Sequence, residues 1–197
     1  CSHCCYSCTE TGQDMTIETF VKACQLAESN GEMIVLGGGE PTLHPLFWQF
    51  FGIAMKYAAL TGPQLYLVTN GTRTEDTVAL AALAYKGVLG VSLSYGDYHD
   101  KSMVDERVIR AFNNIGLTLL DSREVNSVSI VSATGRAADW GLNYCACDSW
   151  VINPNGDVFP CGCRLQAIGN VNSKSVLHLN WEERRCARFG YAYLAER

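Results

Sequence analysis

The chain alternates between two hydrophobic periods. Ile17, Phe20, Val21, Cys24 and Ala27 recur at helical spacing, and Asn30-Gly31 is a C-terminal stop. Met33 to Leu36 is a short apolar run that ends in three glycines, Gly37 to Gly39, and reads as a buried strand and loop. Phe47, Phe51, Ala54, Met55 and Ala58 mark a second helix, stopped near Gly62-Pro63. Leu65 to Val68 is a second strand, Thr74 to Lys86 a third helix, Val91 to Ser94 a third strand, and Ser102 to Ile115 a fourth helix stopped at Gly116. Short apolar strands alternating with helices predict parallel β/α units. Leu117 to Leu120 and Val125 to Val131 read as further strands. Beyond Gly135 the pattern changes to a β-hairpin, with Trp150-Val151-Ile152 and Val158-Phe159 flanking Asn153-Pro154-Asn155-Gly156-Asp157. Ser175 to Arg188 reads as a last helix.

Composition narrows the class. Of 197 residues, 48% are hydrophobic and 18% charged, which supports a packed core and excludes a disordered or coiled-coil chain. With a net charge of −5, no basic surface advertises nucleic-acid binding. Leu46 to Leu60, the most apolar stretch, is interrupted by Gln49 and Lys56 and falls short of the ~20 residues of a membrane span. No signal-peptide pattern precedes the first motif, so a cytoplasmic protein is expected. The chain opens on Cys1, inside a motif, and reads as trimmed.

Cysteine changes the picture most. Four of the 10 cysteines lie within Cys1 to Cys8 and four within Cys145 to Cys163. Clusters in a chain with a large apolar core point to metal or redox chemistry rather than to a disulfide scaffold. Cys1, Cys5 and Cys8 stand in the spacing C-x3-C-x2-C. Three thiolates suit a four-iron cluster and leave one iron open to a ligand. A zinc knuckle of Cys1, Cys4, Cys5 and Cys8 is the competing reading. Gly37-Gly38-Gly39-Glu40-Pro41 follows the first strand; bare backbone there admits a ligand closely, and Glu40 offers a carboxylate to an ammonium. An ordinary Gly-rich turn is the alternative.

Together, C-x3-C-x2-C and Gly38-Gly39-Glu40-Pro41 resemble the radical S-adenosylmethionine (radical SAM) superfamily. Thr69-Asn70-Gly71, Ser92-Leu93-Ser94 with Asp97-Tyr98-His99, and Gly135-Arg136-Ala137 resemble later segments of it. The resemblance implies a [4Fe-4S] cluster held by Cys1, Cys5 and Cys8, and S-adenosyl-L-methionine contacted by Gly38, Gly39 and Glu40, with Ser92 and Ser94 on the ribose side. It implies reductive cleavage of S-adenosylmethionine to a 5′-deoxyadenosyl radical that abstracts hydrogen from a substrate. An electron donor such as a ferredoxin or flavodoxin goes with that chemistry. The sequence departs from the family in having Ser7, not an aromatic residue, before the third cysteine, with Tyr6 one position earlier.

Cys145, Gly156 and Cys161 are spaced as in the auxiliary-cluster extension called SPASM, or its shorter form, twitch, and Ile168-Gly169-Asn170-Val171 resembles a later stretch of that extension. The hairpin makes an independent case. A turn centred on Asn155 pairs Cys147 with Cys163, and strand alternation then puts Cys145, Cys147, Cys161 and Cys163 on one face, fit for zinc or an iron–sulfur cluster. Pro160 is placed to break that ladder. Free thiols, a Cys147–Cys163 disulfide, and Cys186 as a substitute ligand stay open. Cys24 reads as core, His44 as structural or solvent-facing, His99 as a loop histidine and His178 as surface.

The expected fold is therefore α/β: a partial parallel (β/α) barrel over 1–136, with a cysteine-bearing β-hairpin and helix extension over 137–197. The expected function is a radical SAM enzyme acting on a peptide or protein, with no nucleic-acid or membrane partner. The runner-up is a non-enzymatic zinc or iron–sulfur module, or a degenerate relative that keeps the cluster without turnover.

Overall fold

The computed structural model describes residues 4, 6–61, 65–96, 99–120, 149–175 and 177–180. Helix α1 spans Ile17–Ser29, with the Thr16 side chain accepting the Thr19 N–H at its start and Asn30 at its C-cap. Strand β1 (Ile34–Leu36), helix α2 (Phe47–Thr61), strand β2 (Leu65–Thr69), helix α3 (Thr74–Tyr85), strand β3 (Gly90–Ser94), helix α4 (Glu106–Asn114) and strand β4 (Thr118–Leu120) come next in the chain.

These four strands form one parallel sheet in the order β1-β2-β3-β4. Register pairs Ile34 with Leu65 and Leu67 with Val91, which places Ile34, Leu36, Leu65, Leu67, Val91 and Leu93 on one face. All six are buried, in the same core as Phe20, Phe50, Ala54, Leu80, Val108 and Phe112 from the four helices. The four described helices therefore pack on the same face. Sequential strand order with right-handed crossovers has that consequence, and it is the winding of a singly wound β/α sheet rather than of a doubly wound one. Val35, Tyr66, Val68, Ser92 and Ser94 lie on the opposite face, where Val35 is 48% exposed.

The predicted fourth helix starts later than expected. Lys101–Met103 is a separate 3-10 turn capped by Asp100, and α4 begins after Asp105, whose carboxylate accepts the Arg107 N–H. Two Asp caps in six residues interrupt what the apolar spacing reads as one helix.

A second sheet contains β5 (Val151–Ile152), β6 (Asp157–Phe159) and β7 (Gly169–Asn170), antiparallel in that order. Val151 pairs with Phe159 and Ile152 with Val158, the register that a turn centred on Asn155 requires. β7 has no counterpart among the predicted strands; two residues are too few for a period to register. The side-chain oxygen of Asn153 accepts the Asp157 N–H, and Gly156 turns the chain at φ 92°. The helix predicted from Ser175 does not begin there, since 177–180 carry no helix and the Leu179 N–H donates to the Asn30 side chain. The strand predicted at 125–131, the boundary expected between 136 and 137 and the rest of that last helix lie outside the described residues.

The second sheet is tied to the first unit through α1. Asn172 exchanges hydrogen bonds with the Thr19 hydroxyl and accepts one from Lys22 Nζ at 3.2 Å. No described helix is long and apolar enough to cross a membrane.

Candidate metal and cofactor site

The C-terminal ends of β1, β2 and β3 carry the predicted chemistry. After β1 the chain passes through three exposed glycines; Gly38 sits at φ 122°, a conformation that disfavours any side chain. Gly39 approaches the first cysteine segment: a Cβ built on it would lie 3.8 Å from the Cys8 Sγ. The third cysteine of the motif and the glycine loop are thus side by side, although about 30 residues separate them in the chain.

Glu40 binds the ends of two strands together. Its Oε1 accepts the Thr42 N–H at 3.2 Å, the Thr42 hydroxyl at 2.7 Å and the Thr69 hydroxyl at 2.8 Å, while its Oε2 accepts the Asn70 N–H at 2.6 Å. Each carboxylate oxygen has two lone pairs; Oε1 is fully used by its three donors, while Oε2 accepts one and keeps its second lone pair for a ligand donor. The sequence shows the carboxylate; only the fold shows that half of its hydrogen bonds secure Thr69-Asn70 to the glycine loop. Gly71 follows at φ 77°, and a Cβ there would lie 2.7 Å from Leu93 Cδ1. Asn70 closes its own turn by accepting from the Thr72 N–H and hydroxyl.

Of the two predicted ribose-side serines, Ser92 is fully buried and hydrogen-bonded to the Tyr66 phenol. Ser94, at the C-terminal end of β3, is half-buried. Gly90 is needed beneath Tyr66, because a Cβ there would collide with the ring.

In the first cysteine segment, Cys4 is not idle. Its Sγ accepts the Cys8 N–H at 3.4 Å and its carbonyl the Ser7 N–H at 3.2 Å, closing a turn in which Ser7 adopts φ 51°. Cys1 and Cys5 lie outside the described residues. In the second segment, Cys161 and Cys163 are buried, but they occupy a turn beyond Pro160 and not a strand. The alternation expected to align them with Cys145 and Cys147 therefore stops at Pro160, which ends the ladder. Cys145, Cys147 and Cys186 lie outside the described residues, as do Asp97, Tyr98 and Gly135 to Ala137. Among the described residues no group of three or more metal-ligating side chains converges.

Other expectations are met. Cys24 is buried, and burial pushes its thiol up from 9.0 to about 12. His44 is structural: Nε2 lies 3.3 Å from the Met15 carbonyl, Nδ1 accepts the Leu46 N–H, and the ring packs on Phe50. His178 is exposed. A cleft of about 350 Å³ lined by Leu43, Trp48, Arg73 and Asp76 shares Thr42 with the Glu40 cluster but includes neither Cys8 nor the glycines.

A contact that sequence reasoning missed joins the two cysteine segments. Arg164, directly after Cys163, donates through Nη2 to the Tyr6 carbonyl at 3.0 Å and lays its guanidinium 4.7 Å from the centre of the Tyr6 ring. No local signal marks the pair, because 158 residues separate them.

Residues 1–117 match the sequence model of the family described as Radical SAM superfamily. The match covers more than half of the chain, which therefore belongs to that superfamily. No curated protein matches it at a significant level. Members are in general enzymes that use a [4Fe-4S] cluster and S-adenosylmethionine. The residues present fit those groups: a soft thiol donor, Cys8, lies against side-chain-free backbone at the strand ends, and Glu40, next in the chain after Gly39, keeps an acceptor position on Oε2.

Proposed function

We propose that the chain is a radical SAM enzyme with a partial (β/α) barrel core and a twitch-like extension, acting on a peptide or protein substrate. Cys1, Cys5 and Cys8 would hold the cluster. The backbone of Gly38 and Gly39, with the remaining lone pair of Glu40, would receive the methionyl ammonium, and Ser94 would face the ribose more openly than Ser92. When bound, the cluster supplies the single electron that breaks the sulfonium bond and releases a 5′-deoxyadenosyl radical. The protein's part is to fix the glycine loop against the cysteine segment and to orient the cosubstrate on the strand ends.

The observation that carries this reading is the approach of Cys8 to Gly39. A zinc module has no use for a bare glycine loop secured by a carboxylate beside its thiols. The peptide assignment is supported by the auxiliary-cluster spacing around Cys145 and Cys161, and by analogy with superfamily members that carry such extensions. An electron donor of the ferredoxin or flavodoxin class is part of the same proposal.

Anaerobic reconstitution with iron and sulfide, followed by addition of S-adenosylmethionine and dithionite, tests it. A brown protein that releases 5′-deoxyadenosine is expected. A colourless protein that retains only zinc would overturn the assignment.

A further inference from the structure

Arg164 is a cation without a carboxylate partner among the described residues. Its Nε is buried and makes no hydrogen bond there. Its backbone stands at φ 50°, in the left-handed region that a residue with a Cβ occupies at a cost, and so does Ser7 on the facing loop at φ 51°. Arg164 thus reaches, from a strained backbone position, the residue next to a second one, and its guanidinium grips the Tyr6 carbonyl and ring. A half-buried positive charge is retained where a negative charge compensates it. Tyr6 lies between Cys5 and Cys8, so the compensating charge available on that loop is thiolate. A four-iron cluster on three thiolates is net negative, and more so once reduced.

We propose that Arg164 is the counter-charge of the N-terminal cluster, so that the C-terminal extension sets the potential at which the cluster accepts its electron. The proposal rests on the function proposed above and adds a positioning residue to it. Net charge and nearby dipoles are among the levers that move the potential of an iron–sulfur centre. A fixed cation beside the cluster favours the reduced, more negative state. Arginine suits the task because its charge is permanent and its planar fork binds a carbonyl and stacks on a ring at once. Docking of the extension would thereby be coupled to readiness for reduction.

The test is a potentiometric titration of the anaerobically reconstituted full chain, with absorbance and EPR detection, for the parent, Arg164→Gln and Arg164→Lys. Iron and sulfide content of the parent is read first. A parent without an iron–sulfur cluster would overturn the functional assignment and this proposal together; every other result bears on Arg164 alone. The expected result is a more negative midpoint in Arg164→Gln, with the reduced-to-oxidised ratio at the parent's midpoint falling roughly tenfold. Arg164→Lys should stay closer to the parent. A midpoint in Arg164→Gln equal to the parent's, or one in Arg164→Lys displaced as far as in Arg164→Gln, would overturn it. If Arg164→Gln retains no cluster while Arg164→Lys does, the charge is required and the proposal stands. If neither retains one, Arg164 only shapes the loop and the proposal falls.

Discussion

Glu40 shows how one residue serves both architecture and chemistry. Its carboxylate ties Thr42, Thr69 and Asn70 together before any ligand arrives. Glu40→Ala leaves those donors unsatisfied, and an unsatisfied part-buried donor costs about 1–3 kcal/mol. Urea unfolding should register that loss, and calorimetry should register weaker S-adenosylmethionine binding; an undisturbed unfolding midpoint would rule out the tie. Cys24 gives a pH-dependent case. Its thiol titrates near 9.0 when unfolded and at about 12 when folded, so the native state binds more protons between those values. Stability is full below pH 9 and declines as pH rises toward 12, by up to about 1.4 kcal/mol per pH unit. Cys24→Ala should remove that alkaline slope while costing packing at neutral pH, as thermal melts at about pH 7 and about pH 10.5 would show. The burial of Cys24 is legible from its helical stripe. The engagement of Glu40 is not, because Thr69 and Asn70 come from a different strand.

Among the elements, those defined by long apolar periods matched their predicted limits to within a residue or two: α1, α2, α3 and the first three strands. The departures have local causes. Asp100 and Asp105 divide the fourth helical segment, because a side-chain cap competes with helix continuation over one turn. β7 exists because it pairs with β6, and Asn170 donates to the Asp157 carboxylate at 2.8 Å across that pair. That bond, followed by one from Asn153, holds the Asp157 carboxyl below its usual range. Asn172 then anchors the sheet to α1. Asn172→Ala should loosen the second sheet by about 1 kcal/mol, visible as faster amide exchange in 149–175 with the core strands unchanged. Equal exchange in the two proteins would show that the anchor lies elsewhere.

For the whole molecule, the question is how two cysteine segments at opposite ends of the chain relate. Arg164 on Tyr6, Asn172 on Thr19 and Leu179 on Asn30 bring the C-terminal segment along α1 from the cysteine loop to the helix end. If the extension holds its own metal through Cys161 and Cys163, the double substitution to Ala should lower iron or zinc content by one site and leave the N-terminal cluster spectrum in place. Unchanged metal content would assign those buried thiols to packing.

Periodicity by itself determined the β/α alternation and the parallel sheet, because each follows from which residues must face a core, and the turn chemistry around Asn155 determined the hairpin register. Motif spacing determined the superfamily, because three thiols at C-x3-C-x2-C beside a glycine loop have few chemical uses. The tertiary structure alone decided what those residues touch: Cys8 against Gly39, Glu40 across to Thr69 and Asn70, Ser92 under Tyr66, and Arg164 on the cysteine loop. Such contacts join segments distant in the chain, and no local pattern encodes them. They arise only when helix packing on one face of the sheet brings the strand ends and the returning extension to the same place.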